Sequence, residues 1–381
     1  MKIDIRDREA VGAIQAVDAA LYLRAMAWEQ KATVAGKSST WTTTAGGEEF
    51  EALLPLNRGL ADYALRMGDL LGVLAAAEKR SQWLVYRDLL TVTSDVIRIR
   101  IADPELMDGT LPIEEHAQIA QKVRDLMLAA ACAATEHRAV WHKRKPAQAM
   151  DHVRRIRIGQ SERGSYVVTV ISRVTPLLHN AAEQMTFLEQ EAPYERRVTQ
   201  TLAESLRALH RAAEEAALTQ QIASFDRAVS EGVNANLCDA VVGLWGGNET
   251  QRSLGFSFSW SPARPTSPEM PRSVSFSSDR IPVIQEAGRQ MREREPLSEF
   301  ELRGPVVKLE RSEGASTGKA TVVGLLEDRQ ARVTLELDDG QYHIAVRAHD
   351  QGHSVRTTGT LVREGRGFLL KNASTLSIDA E

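Results

Sequence analysis

Cysteine is nearly absent from this chain of 381 residues: there are two, Cys132 and Cys238. Each lies in a run of small or apolar residues, "LAAACAAT" and "NANLCDAV". Two isolated thiols build neither a disulfide framework nor a zinc site; they are expected as buried small hydrophobes in a reducing compartment. Long apolar runs are also missing. The longest near-continuous one, "LMLAAACAA" at 126–134, is far short of the roughly 20 residues that span a bilayer. The opening "MKIDIRDREA" has no apolar core of a secretory signal. These absences predict a cytoplasmic protein with no membrane partner. An excess of one charge is missing too. Lys and Arg number 47 against 51 Asp and Glu, for a formal charge of -4, so a nucleic-acid partner needs a local basic patch.

Catalytic signatures are scarce. "RSEGASTGKATVVG" at 311–324 looks at first like a phosphate-binding loop, but three residues separate Gly314 from Gly318, and Ala320 follows Lys319. The hydroxyl that would hold magnesium is therefore missing. The stretch also runs into "TVVGLL", which reads as a strand, whereas a phosphate loop opens a helix. No dinucleotide fingerprint, HExxH or paired CxxC occurs. His137 and His142 lack a following acid or thiol at ligand spacing. His343, His349 and His353 cluster with Asp338 and Asp350, but Gly352 interrupts any shared helix face. We expect no metal and no cofactor. Glu29 and Lys31, with Asp18 upstream, match the acid–x–lysine element of metal-dependent nucleases. That chemistry needs neighbouring strands, and residues 7–31 read as helix.

What is present is ordinary globular composition, 43% hydrophobic and 26% charged, enough for a normal core. A threonine-rich polar stretch, "KSSTWTTTAGGEE", follows the first helix. Residues 59–79 have helical periodicity, and "SDVIRIRIAD" alternates as a half-buried strand. A second long helix opens at Pro112, with Glu114 and Glu115 at its positive end. Residues 155–174 read as two strands about a polar turn. The strongest stripe, Val198, Leu202, Leu206, Leu209, Ala213, Ala217, Ile222, Phe225 and Val229, predicts one long helix over 196–229, ended by Gly232. "LGFSFSWS" and "RSVSFSS" are two more strands, and "IPVIQEAGRQMRERE" is a helix. From about residue 300, five short strands with a helix between the third and fourth follow the order of an OB-type barrel, with an SH3-like barrel as the nearest alternative.

The fold class expected is α+β, long helices packed on antiparallel strands with a small C-terminal β-barrel. The domains expected are 1–296, divisible at 175/176, and 297–381. The clearest charge bias lies at 137–163, with eight Lys and Arg against two acids. Arg154, Arg155, Arg157, Lys143, Arg144, Lys145 and Arg163 are its candidate nucleic-acid contacts, acting through phosphates; the competing account is a solvated helix end paired with acids elsewhere. Arg311, Lys319, Arg363 and Arg366, in the two loops flanking a barrel's ligand face, could add a basic rim. Aromatic platforms for stacking bases are few there, Tyr342 and Phe368. The function expected is a non-enzymatic binding or assembly protein near nucleic acid, with protein partners or self-association. The alternatives are a hydrolase or nuclease with a dispersed site, and a purely structural oligomer subunit.

Overall fold

The computed structural model describes residue 5 and residues 7–102, 111–142, 144–159, 166–176, 192–219, 221–246, 252–312, 314–326, 329–364 and 367–379. Among these residues the fold is mixed α+β, with eleven α-helices and three sheets. The chain opens with α1 (Arg8–Gly12) and α2 (Ala16–Ala25). A three-stranded antiparallel sheet follows, β1 (Glu29–Val34), β2 (Ser38–Ala45) and β3 (Glu48–Pro55). The single helix expected over 7–31 is thus two helices and a strand. The threonine-rich stretch is strand β2, which suits its β-branched residues. Ser39 and Trp41 face the core, and the Trp41 Nε1–H donates to Ser39 Oγ at 2.8 Å. Gly46 and Gly47, at φ 62° and 86°, make the tight β2–β3 turn that only residues tolerating positive φ form readily. Helices α3 (Tyr63–Ala77) and α4 (Gln82–Leu90) close a first core around Tyr22, Trp41, Met67, Leu71 and Val85.

The next stretch builds the central sheet and its helices: β4 (Ser94–Ala102), α5 (Ile113–Ala133), α6 (Ala147–Arg155), β5 (Arg157–Ile158), β6 (Tyr166–Arg173), α7 (Tyr194–Thr219), α8 (Ala223–Ala228), α9 (Ala235–Trp245), β7 (Ser253–Ser259), β8 (Ser273–Phe276) and α10 (Ile281–Arg294). The sheet is antiparallel, in the order β5-β6-β4-β7-β8. Ile97, Ile99 and Ile101 of β4 are fully buried, as their alternation predicts. They join Val198, Leu202, Leu206 and Leu209 of α7 in one core. The alanine-rich end of α5 permits close packing, and both cysteines are buried there and in α9. Burial pushes the Cys132 thiol up to about 11 and that of Cys238 to about 12. The helix expected over 196–229 breaks: α8 and a 3₁₀ turn (Val229–Glu231) follow α7, and Gly232 ends that turn at φ 92°. Ile222, Phe225 and Val229 prolong the stripe but pack from the shorter segments.

The last stretch comprises β9 (Leu297–Glu310), β10 (Thr317–Leu326), β11 (Arg329–Asp338), α11 (Asp339–Asp350), β12 (Ser354–Glu364), β13 (Gly367–Lys371) and β14 (Ser377–Asp379). β9 pairs antiparallel with β10 and β12, and β10 with β11. β11 pairs parallel with β13, and β13 with β12. These pairings form a closed ring around Leu302, Val322, Val333, Leu335, Val355 and Leu370. Ala345 and Ala348 of α11 are buried against the same core.

Candidate functional site

The basic segment folds around α6. Pro146 stands at its N-cap, a position where a missing backbone N–H costs no intrahelical bond. The helix stops where Ile156 turns extended. There the Arg157 guanidinium reaches back, and Nη1 donates to the carbonyls of Arg154 and Ile156, both at 3.1 Å. Arg154 and Arg155 occupy the last turn, where cations meet the negative end of the helix dipole. This corrects the two-strand reading of 155–174. Arg155 ends a helix, and the first strand shrinks to Arg157–Ile158, which pairs with Val170 and Ile171 of β6 at the sheet edge. Arg154 pairs with Asp151 at 2.9 Å, and Arg155 lies 3.8 Å from Glu195 of α7; both arginine side chains are about three-quarters exposed, 74% and 75%.

The same helix turns His152 inward. It is 4% exposed, with its ring edge-on to Tyr194 at 5.8 Å between centroids. Burial holds the imidazole below its ordinary range; Glu195 pulls it upward and Arg155 adds to the lowering. Among the described residues neither ring nitrogen has a hydrogen-bond partner, and neither does the hydroxyl of Ser172, which is 1% exposed. Ser172 and Arg173 end β6. Between the C-terminus of α6, the end of β6 and the first turn of α7 lies a cavity of about 670 Å³. It is lined by His152, Arg154, Arg155, Arg157, Ser172 and Arg173, with Glu195 as the one carboxylate among the described residues.

Behind this cavity lies a buried ion pair. Asp95 of β4 sits opposite Ser172 in the sheet register. Its carboxylate is 3.1 Å from Nη2 of Arg196, and both side chains are essentially inaccessible. The Thr199 hydroxyl donates to Asp95 at 2.5 Å and the Ser261 N–H at 2.9 Å. Arg196 also donates to the Arg264 carbonyl at 2.5 Å and lies 5.6 Å from the Trp260 ring centre. Burial raises Asp95 and lowers Arg196, each shift opposed by the partner's charge.

A second cavity, of about 660 Å³, borders the start of α6. Arg144, Lys145, Lys122 and Arg124 line it with Asp125 and Asp239 over a floor that includes Trp141. Lys145 Nζ donates to the His142 carbonyl at 2.8 Å, and Arg144 approaches Glu299 of β9 at 3.2 Å. The structure therefore brings Arg154, Arg155 and Arg157 to one cavity and Arg144 and Lys145 to another. Lys143, Arg163 and Arg366 lie outside the described residues.

The remaining candidates, in the C-terminal ring, are each engaged locally. Arg311 pairs with Asp339 at 2.7 Å and lies 5.3 Å from the Tyr342 ring centre. Lys319 is 3.5 Å from Glu336 on the neighbouring strand, and Arg363 is 2.9 Å from Glu293 of α10. Gly318 and Lys319 belong to strand β10. A Cβ on Gly318 would come within 2.3 Å of the Tyr342 ring, so the glycine serves ring packing. Glu29 and Lys31 prove to lie on strand β1 rather than on a helix, but they pair with each other at 2.6 Å on an exposed edge. Asp18 stays on α2. Among the described residues no three His, Cys, Asp or Glu side chains gather as a metal site, and no helix is long and apolar enough to cross a membrane.

Sequence reasoning missed Ser172, Arg173 and the inward role of His152. A serine within "VTVISRV" carries no local signal. The arginine at that strand's end was legible as a cation but not as a neighbour of α6. Comparison with protein families, curated proteins and solved structures finds no match to this chain.

Proposed function

We propose that the chain binds nucleic acid through its phosphate backbone along the surface flanking α6, as a non-enzymatic component of a larger assembly. The observation that carries this reading is the convergence of Arg154, Arg155, Arg157 and Arg173 on one cavity, lined among the described residues by the single carboxylate of Glu195. Guanidinium groups suit phosphate because their planar donors match its oxygens. Arg144 and Lys145 in the cavity at the other end of α6 extend the cationic track. We read the C-terminal ring as an OB-type barrel and as a separate domain from residue 297. What supports this is the strand pairing with α11 inserted between the third and fourth strands of the ring. The engagement of Arg311, Lys319 and Arg363 with nearby acids favours a protein contact for the ring over a nucleic-acid one.

The test is fluorescence anisotropy with single- and double-stranded oligonucleotides at two salt concentrations. Binding should depend weakly on sequence and fall steeply with salt, the log–log slope shrinking by roughly 0.9 for each duplex phosphate contact removed. The informative variant is Arg154→Glu with Arg155→Glu, since both side chains are exposed, whereas Arg157 also closes the end of α6. We expect this double variant to abolish binding at the higher salt while leaving the circular dichroism spectrum unchanged. Absence of wild-type binding at low salt overturns the reading.

A further inference from the structure

We propose that the cavity at the C-terminal end of α6 is a socket for a terminal phosphate monoester. The inference rests on the backbone reading for its nucleic-acid source but stands on separate features of the same site. Exposed arginines alone make only a surface that any polyanion can touch. The lining of this cavity also includes two residues whose buried polar groups lack partners among the described residues: the Ser172 hydroxyl and the His152 ring nitrogens. Buried polar atoms in folded proteins nearly always find partners, and those that do not call for a ligand or another specific explanation. The first turn of α7 borders the same space through Glu195, and N–H groups there lack intrahelical acceptors. The donors available in the lining are thus arginine guanidinium groups, a hydroxyl, an imidazole N–H and the positive end of a long helix.

A phosphate monoester matches this set better than an internal diester. It carries roughly -1.5 to -2 charge at neutral pH and three strong acceptor oxygens. It also enters end-first, with only one ester oxygen tied to the rest of the molecule. An internal diester carries one charge and continues on both sides, so it can lie across the exposed arginines without reaching Ser172.

The monoester could come from a nucleic-acid end or from a free nucleotide, and the experiment separates the two. Full-length protein is titrated with short single-stranded oligonucleotides bearing a 5′-phosphate, a 3′-phosphate or hydroxyl ends, and thermal midpoints are recorded with adenosine monophosphate against adenosine. The variant is Ser172→Ala, which removes an unpartnered hydroxyl and so breaks no hydrogen bond among the described residues. Arg173→Gln is the second variant, at an exposed position. If the source is a nucleic-acid end, one phosphorylated end should bind about tenfold tighter than hydroxyl ends, the scale of one charge-assisted hydrogen bond. Ser172→Ala should erase that preference while sparing most of the binding to hydroxyl ends, whereas Arg173→Gln should erase it and weaken binding to hydroxyl ends as well. If the oligonucleotides fail to bind but the monophosphate raises the midpoint of the wild type and not of Ser172→Ala, the socket stands and the backbone reading falls. Equal binding of all ends, with no monophosphate effect, overturns the socket and leaves the backbone reading intact. No response to any phosphorylated probe overturns both.

Discussion

Replacing Arg196 by methionine isolates one buried charge. Asp95 and Arg196 are each 1% exposed. In the variant the carboxylate keeps its bonds from the Thr199 hydroxyl and the Ser261 N–H but loses its countercharge. Removing one member of a buried pair typically costs about 3–5 kcal/mol, because the remaining ion stays desolvated. At roughly 2–4 °C per kcal/mol for a unit of 150–250 residues, the midpoint should fall by roughly 6–20 °C in scanning calorimetry. The double variant Asp95→Asn, Arg196→Met removes both charges and should recover most of that loss. The pH dependence adds a sign. Burial already raises Asp95, and losing Arg196 removes what pulls it down. With its pKa in the fold above the unfolded value, the folded state binds the extra proton, and stability gains as pH falls toward that pKa. The deficit of Arg196→Met should therefore be larger at pH 7 than at pH 5. A deficit under about 1 kcal/mol, or one that grows on acidification, refutes the reasoning.

His152 is held below its ordinary range by burial, so the unfolded chain takes up that proton first. Its contribution to stability is present above the ordinary value near pH 6.5 and is lost as pH falls below it; urea midpoints at pH 7.5 and 5.5 should converge for His152→Phe relative to wild type. Gly318→Ala drives a methyl into the Tyr342 ring and should lose about 1–3 kcal/mol by overpacking, read by chemical denaturation. The fragment 297–381 should fold alone, because the core from Leu302 to Leu376 is drawn wholly from it; a disordered circular dichroism spectrum for the fragment beside a folded full chain decides against this.

Elements with strong periodicity were legible in advance. Ile97, Ile99 and Ile101 marked β4, and the stripe from Val198 to Leu209 marked α7, because one buried face repeats at the element's own period. The strands of the C-terminal ring were legible for the same reason. β2 was not: its outward face is threonine and serine, so apolar alternation is almost invisible although Trp41 is buried. The correct cue was local, the paired glycines at 46 and 47. Helix α6 was hidden by composition. Its outward face is charged, only Ala149 and His152 are buried, and "RRIRI" alternates like a strand across the boundary where the helix ends. The cations of the candidate site were readable as a charge bias. Their convergence with Ser172 was not, since it depends on β6 pairing with β5 and β4, contacts distant in sequence.

Arginine serves three different ends in this chain, and local geometry separates them. On α10, Arg289 forks between Glu286 and Glu293 of its own helix; such exposed pairs contribute little stability and leave little field for a ligand. Arg196 is wholly buried and fixes α7 to β4 and the segment after β7. At the end of α6, Arg154, Arg155 and Arg157 are brought together by backbone geometry: a helix terminus places the first two on adjacent positions, where Arg154 also pairs with Asp151 at 2.9 Å, and the third reaches back to the carbonyls of Arg154 and Ile156. The carboxylate of Glu195, from α7, is 3.8 Å from Arg155, long for a charge-assisted bond. Bringing like charges together in this way opposes folding through self-repulsion, and an anion placed among them relieves that repulsion. Ligand binding at this cavity and stability of the fold are therefore coupled in sign. An anion that occupies it raises the unfolding midpoint in proportion to the logarithm of its concentration once the site is largely filled, and a variant that removes Arg154 and Arg155 loses that response.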